Sequence, residues 1–227
     1  MGFQGTRAKQ KSGKRFVLAA LCLVFALLCG AGRLWAQTPE QEQKDVAFVR
    51  FVQADSQMKE PQVPGSMGKT YDALAFGAAS PYYEQKPPGM ILSMGAVSRP
   101  FALEREKFYS VVLYQGQMSL VSDPVLENKS KALVRFYNFS SYPSLRLMQR
   151  DGKALILGPV LAGTGSALEV SPGKQAVFVY DKEGQSWPVE GFAPQAGKSY
   201  DIFFFKTGPE GANNKITLLD STPPAPQ

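Results

Sequence analysis

From Val46 onward the chain alternates short apolar runs with turn-forming residues, and no run shows the three-to-four spacing of an amphipathic helix. Val46 to Val52 is β-branched and aromatic, with Arg50 between Val49 and Phe51, the alternation of a half-buried strand. Tyr71 to Phe76, Met90 to Met94, Val97 to Leu103, Phe108 to Tyr114 and Met118 to Val121 follow as predicted strands. Gly77, Pro81, Pro87-Pro88-Gly89, Gly95, the charged Glu104 to Lys107 and Gln115-Gly116 separate them. Asp55 to Lys69, with Pro61, Pro64 and Gly65, reads as loop. After Asp123-Pro124 and a charged stretch, a second series runs through Ala132 to Asn138, Ser144 to Gln149, Ala154 to Leu157, Ser166 to Val170, Gln175 to Tyr180, Ser186 to Val189, Tyr200 to Lys206 and Lys215 to Leu219. Its turns carry Asp151-Gly152, Gly163-Thr164-Gly165, Pro172-Gly173, Glu183-Gly184 and Ala196-Gly197, residues that supply the positive φ of tight hairpins. Short strands with turn signals every eight to twelve residues point to an antiparallel sandwich or barrel.

The second series repeats the first. Ala47-Phe48-Val49-Arg50-Phe51-Val52 returns 85 positions later as Ala132-Leu133-Val134-Arg135-Phe136-Tyr137, and Pro87-Pro88-Gly89 returns as Ser171-Pro172-Gly173, 84 positions on. Lys107 to Tyr114 answers to Lys198 to Phe205, and Met118 to Val121 to Ile216 to Leu219. A period this long marks two whole domains and not a solenoid of small units. The fold expected is therefore all-β: two tandem, internally duplicated antiparallel β-sandwich domains after an N-terminal signal peptide. The boundaries expected are 1–36 for the signal peptide, 37–45 for a polar tether, 46–126 and 132–221 for the sandwiches, 127–131 for the linker and 222–227 for a Pro-rich tail.

The first 36 residues differ in kind: a basic lead (Arg7, Lys9, Lys11, Lys14, Arg15), an apolar run from Phe16 to Ala31, and Leu34-Trp35-Ala36 before Gln37. This is the layout of a secretory signal peptide; the alternative is an inner-membrane anchor, for which the apolar run is short. Six of the 25 Lys and Arg and none of the 19 Asp and Glu lie there, so the formal charge of +6 belongs to that segment and the rest balances 19 against 19. Nucleic acid is not an expected partner of a neutral chain. Both cysteines, Cys22 and Cys29, lie in the same segment, and the sequence has no histidine. The exported part must hold itself together by its core alone, and about 190 residues suffice for two domains of roughly 85 to 95.

These gaps narrow the chemistry. Without His there is no Ser-His-Asp or Cys-His arrangement and no imidazole ligand, and without Cys past residue 36 there is no thiol nucleophile or thiolate metal site. No catalytic residue, metal ligand or cofactor is expected. Gly163-Thr164-Gly165-Ser166 lacks the spacing and Lys of a phosphate loop and reads as a turn. Paired carboxylates could serve a glycosidase, and Asp123 and Asp220 stand after corresponding last strands, but each reads more simply as a strand-ending turn residue. Arg50 and Arg135 are matched positions, read either as outward-facing strand residues whose stems cover apolar neighbours or as contacts for an anionic partner. Ser80-Pro81-Tyr82-Tyr83 is the most loop-like aromatic segment and the best candidate for an exposed patch. The candidate partner or glycan contacts are thus Arg50, Ser80, Pro81, Tyr82, Tyr83 and Arg135.

An export signal, the strand Phe48-Val49-Arg50-Phe51, Ser80 to Tyr83, Pro87 to Gly89, the strand Lys107 to Tyr114, a second strand Val134 to Asn138, Pro143 to Leu147 and the Asp151 to Lys153 turn follow one another in this order. Taken together they resemble the periplasmic alginate O-acetylation accessory proteins of the AlgF family, over about Val46 to Asp220. The resemblance implies a non-catalytic periplasmic adaptor required for O-acetylation of an exopolysaccharide, alginate or an acetylated cellulose. Its implied partners are a membrane-bound O-acyltransferase and a periplasmic esterase-fold acetyltransferase. The alternative is a tandem carbohydrate-binding module that holds the polysaccharide itself, which requires an exposed row of aromatics on one sheet face.

Overall fold

The computed structural model describes residues 45–59, 61–64, 70–87, 89–150, 152–207 and 213–221. The signal peptide, most of the tether and the Pro-rich tail expected from the sequence lie outside these. The first half contributes β1 (Ala47–Gln53), β2 (Gln62–Pro64), β3 (Thr70–Ala73), β4 (Tyr83–Gln85), β5 (Gly89–Met94), β6 (Val97–Ala102), β7 (Phe108–Tyr114) and β8 (Gln117–Asp123). The second contributes β9 (Ala132–Phe139), β10 (Ser144–Gln149), β11 (Leu155–Leu161), β12 (Thr164–Val170), β13 (Val177–Tyr180), β14 (Ser186–Pro188), β15 (Ser199–Thr207) and β16 (Asn213–Asp220). The expected all-β class holds throughout the described residues.

Each half has a four-stranded sheet of the same plan, β4-β1-β7-β8 and β12-β9-β15-β16. In both, the two central strands run parallel: Phe48 to Gln53 faces Phe108 to Leu113, and Leu133 to Phe139 faces Ser199 to Phe205. The sheets are therefore mixed, where a purely antiparallel pattern was expected. The reason is topological, since the chain leaves β1 and β9, forms the opposite layer, and returns to the same sheet, which is a crossover and not a hairpin. The opposite layer is two ribbons in the first half, β2-β3 and β5-β6, and a sheet β11-β10-β13-β14 in the second. Strand β2, three residues in the Pro-rich interval read as loop, and β4, which begins at the last residue of the segment read as an aromatic loop, are additions to the expected set.

Period-2 alternation sends Ala47, Val49 and Phe51 of β1 and Tyr109, Val111 and Leu113 of β7 into the first core, where Leu92 and Met94 meet them from β5. Val134, Phe136, Ile202 and Phe204 meet Leu145, Leu147, Val177 and Val179 in the second. The other faces of these sheets are not solvated. Val52 and Val112 from the first half and Tyr137, Phe139, Phe203 and Phe205 from the second form a third buried cluster, so the two four-stranded sheets pack face to face. All eight residues of β9 are buried, as in a strand covered on both faces.

Gly165, which the sequence places in a turn, lies in β12 opposite Tyr137. A β-carbon there would come 2.5 Å from Tyr137 Cδ1, so glycine is what lets the ring lie flat on the neighbouring strand. Gly165→Val is expected to lower the unfolding free energy by about 1–3 kcal/mol in a urea titration. An unchanged midpoint would mean that the Tyr137 ring yields.

Candidate functional site

The third cluster is apolar at one end and ionic at the other. Arg50 sits in mid β1 with Val49 and Phe51 facing the first core, which leaves its side chain in the layer between the sheets. Its Nε donates to Ser110 Oγ at 2.7 Å, Nη1 donates to the Asp201 carboxylate, and Nη2 donates to Tyr137 Oη at 3.2 Å. Asp123 Oδ2 stands 3.4 Å from Arg50 Nη2. Arg135 comes from the equivalent place on β9: Nε donates to Asp201 Oδ1 at 2.6 Å, Nη1 to the Pro124 carbonyl at 3.0 Å and Nη2 to Ser221 Oγ at 2.8 Å. Asp123 accepts from Ser110 Oγ at 2.6 Å, Tyr82 Oη at 2.8 Å and Tyr137 Oη at 2.5 Å. Two guanidiniums and two carboxylates thus share one network, and none of the four is more than 3% exposed.

The repeat explains the layout. Arg50 faces Ser110 across the parallel pair, and Arg135 faces Asp201 at the same register. At the end of the last strand Asp123 pairs with Phe108, and the Ser221 amide bonds the carbonyl of Ser199, the counterpart of Phe108. Each arginine therefore has one serine and one aspartate from its own half, in exchanged positions. The counterpart of Asp123 is Ser221, not Asp220, which pairs with Tyr200 and holds Lys198 at 3.3 Å. The turn role expected of Asp123 is replaced by three side-chain hydrogen bonds and an arginine.

Burial would raise the Asp201 pKa, but Arg50 and Arg135, with hydrogen bonds from Arg50 and Ser221, hold it below the usual carboxylate range. Tyr137 is pushed above the usual phenol range, first by burial and then by Asp201 and Asp123. Tyr82 moves the same way, chiefly by burial. These shifts lead away from neutrality in opposite directions, so Asp201 keeps its charge and the two phenols keep their protons at ordinary pH. With their oxygens engaged, the two carboxylates act as acceptors that tie the halves together.

The sequence-predicted site residues divide into three groups. Arg50, Arg135 and Tyr82 are brought together, Arg50 Cζ lying 4.8 Å from the Tyr82 ring centroid. Both arginines are 1% exposed, which corrects their reading as outward-facing strand residues: the face that would have met solvent meets the other half. Ser80 serves the backbone, its Oγ accepting from Phe51 N at 2.9 Å and donating to the Pro81 carbonyl at 2.8 Å. Pro81 is exposed, and half-buried Tyr83 pairs with Val49 as part of β4 and packs on the first core, so Ser80 to Tyr83 is the edge of a sheet and the cap of the network, not a free aromatic loop. Asp201, Tyr137, Ser110 and Ser221 were not singled out by sequence. The signal for Asp201 was its place in an otherwise apolar strand, Tyr200-Asp201-Ile202-Phe203, on a face whose other members are Phe203 and Phe205.

At the other end of the stacked faces a cleft of about 540 Å³ is lined by Asp55, Tyr114, Gln115, Ser141 and Lys206 among others. Asp55 shapes its wall, accepting from Gln57 N at 2.8 Å and Gly116 N at 2.6 Å, and Tyr114 Oη donates to the Ser140 carbonyl at 2.6 Å.

Residues 36–201 match the family described as Alginate O-acetyl transferase AlgF. Alginate biosynthesis protein AlgF of Pseudomonas putida is 28% identical over 202 residues, 88% of this chain and 92% of the relative. Its namesake in Pseudomonas syringae pv. tomato is 30% identical over 168 residues, 73% of each. The solved C-terminal domain of AlgF from P. aeruginosa aligns at 21% identity and a TM-score of 0.35 over 40% of this chain and 98% of that domain. On the extent of the family match and the coverage of these relatives, the chain belongs to the AlgF family of alginate biosynthesis and O-acetylation proteins.

Proposed function

We propose that this chain is a non-catalytic periplasmic adaptor in polysaccharide O-acetylation, bringing a membrane-bound O-acyltransferase together with a periplasmic esterase-fold acetyltransferase. The observation that carries this reading is the fate of the strongest candidate groups. Asp123, Asp201 and Tyr137 are sealed between the two sheets, and the carboxylates are neutralised by guanidiniums. A general acid or base must reach its substrate within hydrogen-bond distance, which these groups do not offer. With no histidine in the sequence, the usual activated serine is also lacking. What the fold does offer is a rigid body of two locked halves, suited to holding other proteins at fixed separation.

The test is recovery of the chain, tagged at Gln227, from detergent-solubilised envelopes, alongside an acetyl-transfer assay of the purified chain. The expected result is a membrane O-acyltransferase or an esterase-fold protein in the eluate and no acetyl transfer by the chain alone. Transfer to polymer by the pure chain would overturn the reading.

A further inference from the structure

The cleft of about 540 Å³ lies where the four central strands end. Strands β1 and β7 run parallel, as do β9 and β15, and the carboxyl end of each contributes to its lining. Ala54 to Met58 follow β1, Tyr114 ends β7, Ser140 and Ser141 follow β9, and Lys206 stands near the end of β15. The repeat makes the two sides alike. At a shift of 85, Gln53, Asp55 and Ser56 answer to Asn138, Ser140 and Ser141. The turns are built in the same way, the Asp55 amide donating to Gln53 Oε1 and the Ser140 amide to Asn138 Oδ1, each at 3.2 Å. The Gln57 amide then donates to Asp55 Oδ1 at 2.8 Å, and the Tyr142 amide to Ser140 Oγ at 3.2 Å. Both turns are thus fixed before any ligand arrives, which removes an ordering cost from binding.

The likeness fails in charge. Lys206 stands where the repeat puts Gln115 in the first half, and Asp55 where it puts Ser140 in the second. These two charges do not answer each other. Both oxygens of Asp55 accept backbone amides, from Gln57 and Gly116, and the residue is 7% exposed, so its carboxylate is part of the wall. Lys206 is half-buried with Nζ 4.8 Å from the Tyr142 ring centroid, and no carboxylate pairs with it among the described residues. Ser56 and Ser141 are exposed, and neither has a hydrogen-bond partner among the described residues. Half-buried Met58 and Tyr114 supply apolar wall, the Tyr114 hydroxyl being spent on the Ser140 carbonyl. A cation without a counter-ion, free hydroxyls and apolar wall in one cavity suit an anion joined to an apolar body.

We infer that this cleft holds the carboxyl-terminal end of a partner polypeptide, a role that rests on the adaptor reading for the kind of partner. The terminal carboxylate pairs with Lys206 and the Ser141 hydroxyl, and the last side chain lies against Met58 and Tyr114. Ser56 and the exposed Gln115 side chain serve the preceding peptide groups. Size and charge together select the occupant. A cavity of about 540 Å³ is of the class that encloses ligands of many atoms, and a free short-chain acid fills only a small part of it. The cleft is at the far end of the stacked faces from the ionic network, so its ligand binds without unlocking the halves.

Amide NMR of the purified chain, titrated with acetylated tetrapeptides that differ in their last residue, tests this. The Ser56, Gln115 and Ser141 cross-peaks are expected to move, most with aliphatic last residues. The same peptides with amidated ends are expected to bind at least about tenfold more weakly, the loss of one charge-assisted pair. Lys206→Met, which keeps an unbranched stem beside Tyr142, is expected to weaken binding by a similar factor with unchanged thermal unfolding, and Lys206→Arg to retain it. Unmoved cross-peaks, equal affinity for free and amidated ends, or a Lys206→Met variant that binds like the parent would overturn the assignment. Butyrate binding as tightly as the peptides would also overturn it, giving the cleft to a free acid. Envelope recovery reports on the adaptor role separately. Partners recovered while every peptide fails would withdraw the cleft alone, and peptide binding without recovered partners would keep the cleft and withdraw the adaptor.

Discussion

Asp201→Asn is expected to lower the unfolding free energy by about 3–5 kcal/mol, the cost of removing one charge from a buried ionic network and leaving its partners behind. Asp201 is fully buried and is the one carboxylate that both guanidiniums touch, so the substitution leaves two arginines with Asp123 alone. Chemical unfolding at neutral pH reads the loss directly. The acid side supplies a second readout. A carboxylate whose folded pKa is depressed contributes stability that is present above its unfolded pKa, about 3.9, and is lost as pH falls toward the folded value. The gap between parent and variant is therefore expected to close below about pH 4. A gap that stays constant from neutrality to pH 3 would show that shape, not charge, sets the effect. Replacing Arg50, Arg135, Asp123 and Asp201 together by apolar residues is expected to cost less than the single change, since the whole network is then absent.

Phe203→Ala is expected to cost a comparable amount, about 3–5 kcal/mol, by a different route. Phe203 is completely buried in the layer between the sheets, with its ring 4.7 Å from Tyr137 and 5.8 Å from Phe205, both nearly parallel to it. The Arg50 guanidinium stands 5.3 Å from the same ring. Truncation opens a cavity where the apolar column meets the ionic network, and the flanking strands β9 and β16 limit its collapse. Because Phe203 and Asp201 share Arg50 as a neighbour, the double variant is expected to lose less than the two single losses added. Simple additivity in urea unfolding would mean that the column and the network do not cooperate.

Much of this architecture can be read from the residue pattern. Phe108–Tyr114 and Ser144–Gln149 are strands at the limits that the alternation implies, and the repeat of Val49-Arg50-Phe51 as Val134-Arg135-Phe136 is a repeat of sheet plan. Strands β2 and β4 escape such reading because three residues beside prolines carry too little alternation to register. The site escapes it for a deeper reason. Alternation tells which side of a strand faces away from one core, but it does not tell whether that side meets water or a second core. Arg50 looks like a solvated residue on that criterion, and the evidence against it lies far off in the chain, in Tyr137, Phe139, Phe203 and Phe205 on the face that must cover it. An aromatic outer face on a duplicated sheet is the sign that the duplicate covers it.

The exchanged serine and aspartate bear on how such a gene can persist. Tandem repeats recombine unequally, and the products carry one repeat twice. A chain of two first halves would have Ser110 where Asp201 now answers both arginines, and Val52 where Tyr137 now bonds Asp123. A chain of two second halves would have Ser221 where Asp123 now takes Tyr82, Ser110 and Tyr137. Either product keeps two arginines and two aspartates but moves one aspartate to the other position beside its arginine, so neither reproduces the present arrangement in which one carboxylate answers both guanidiniums and the other takes three hydroxyls.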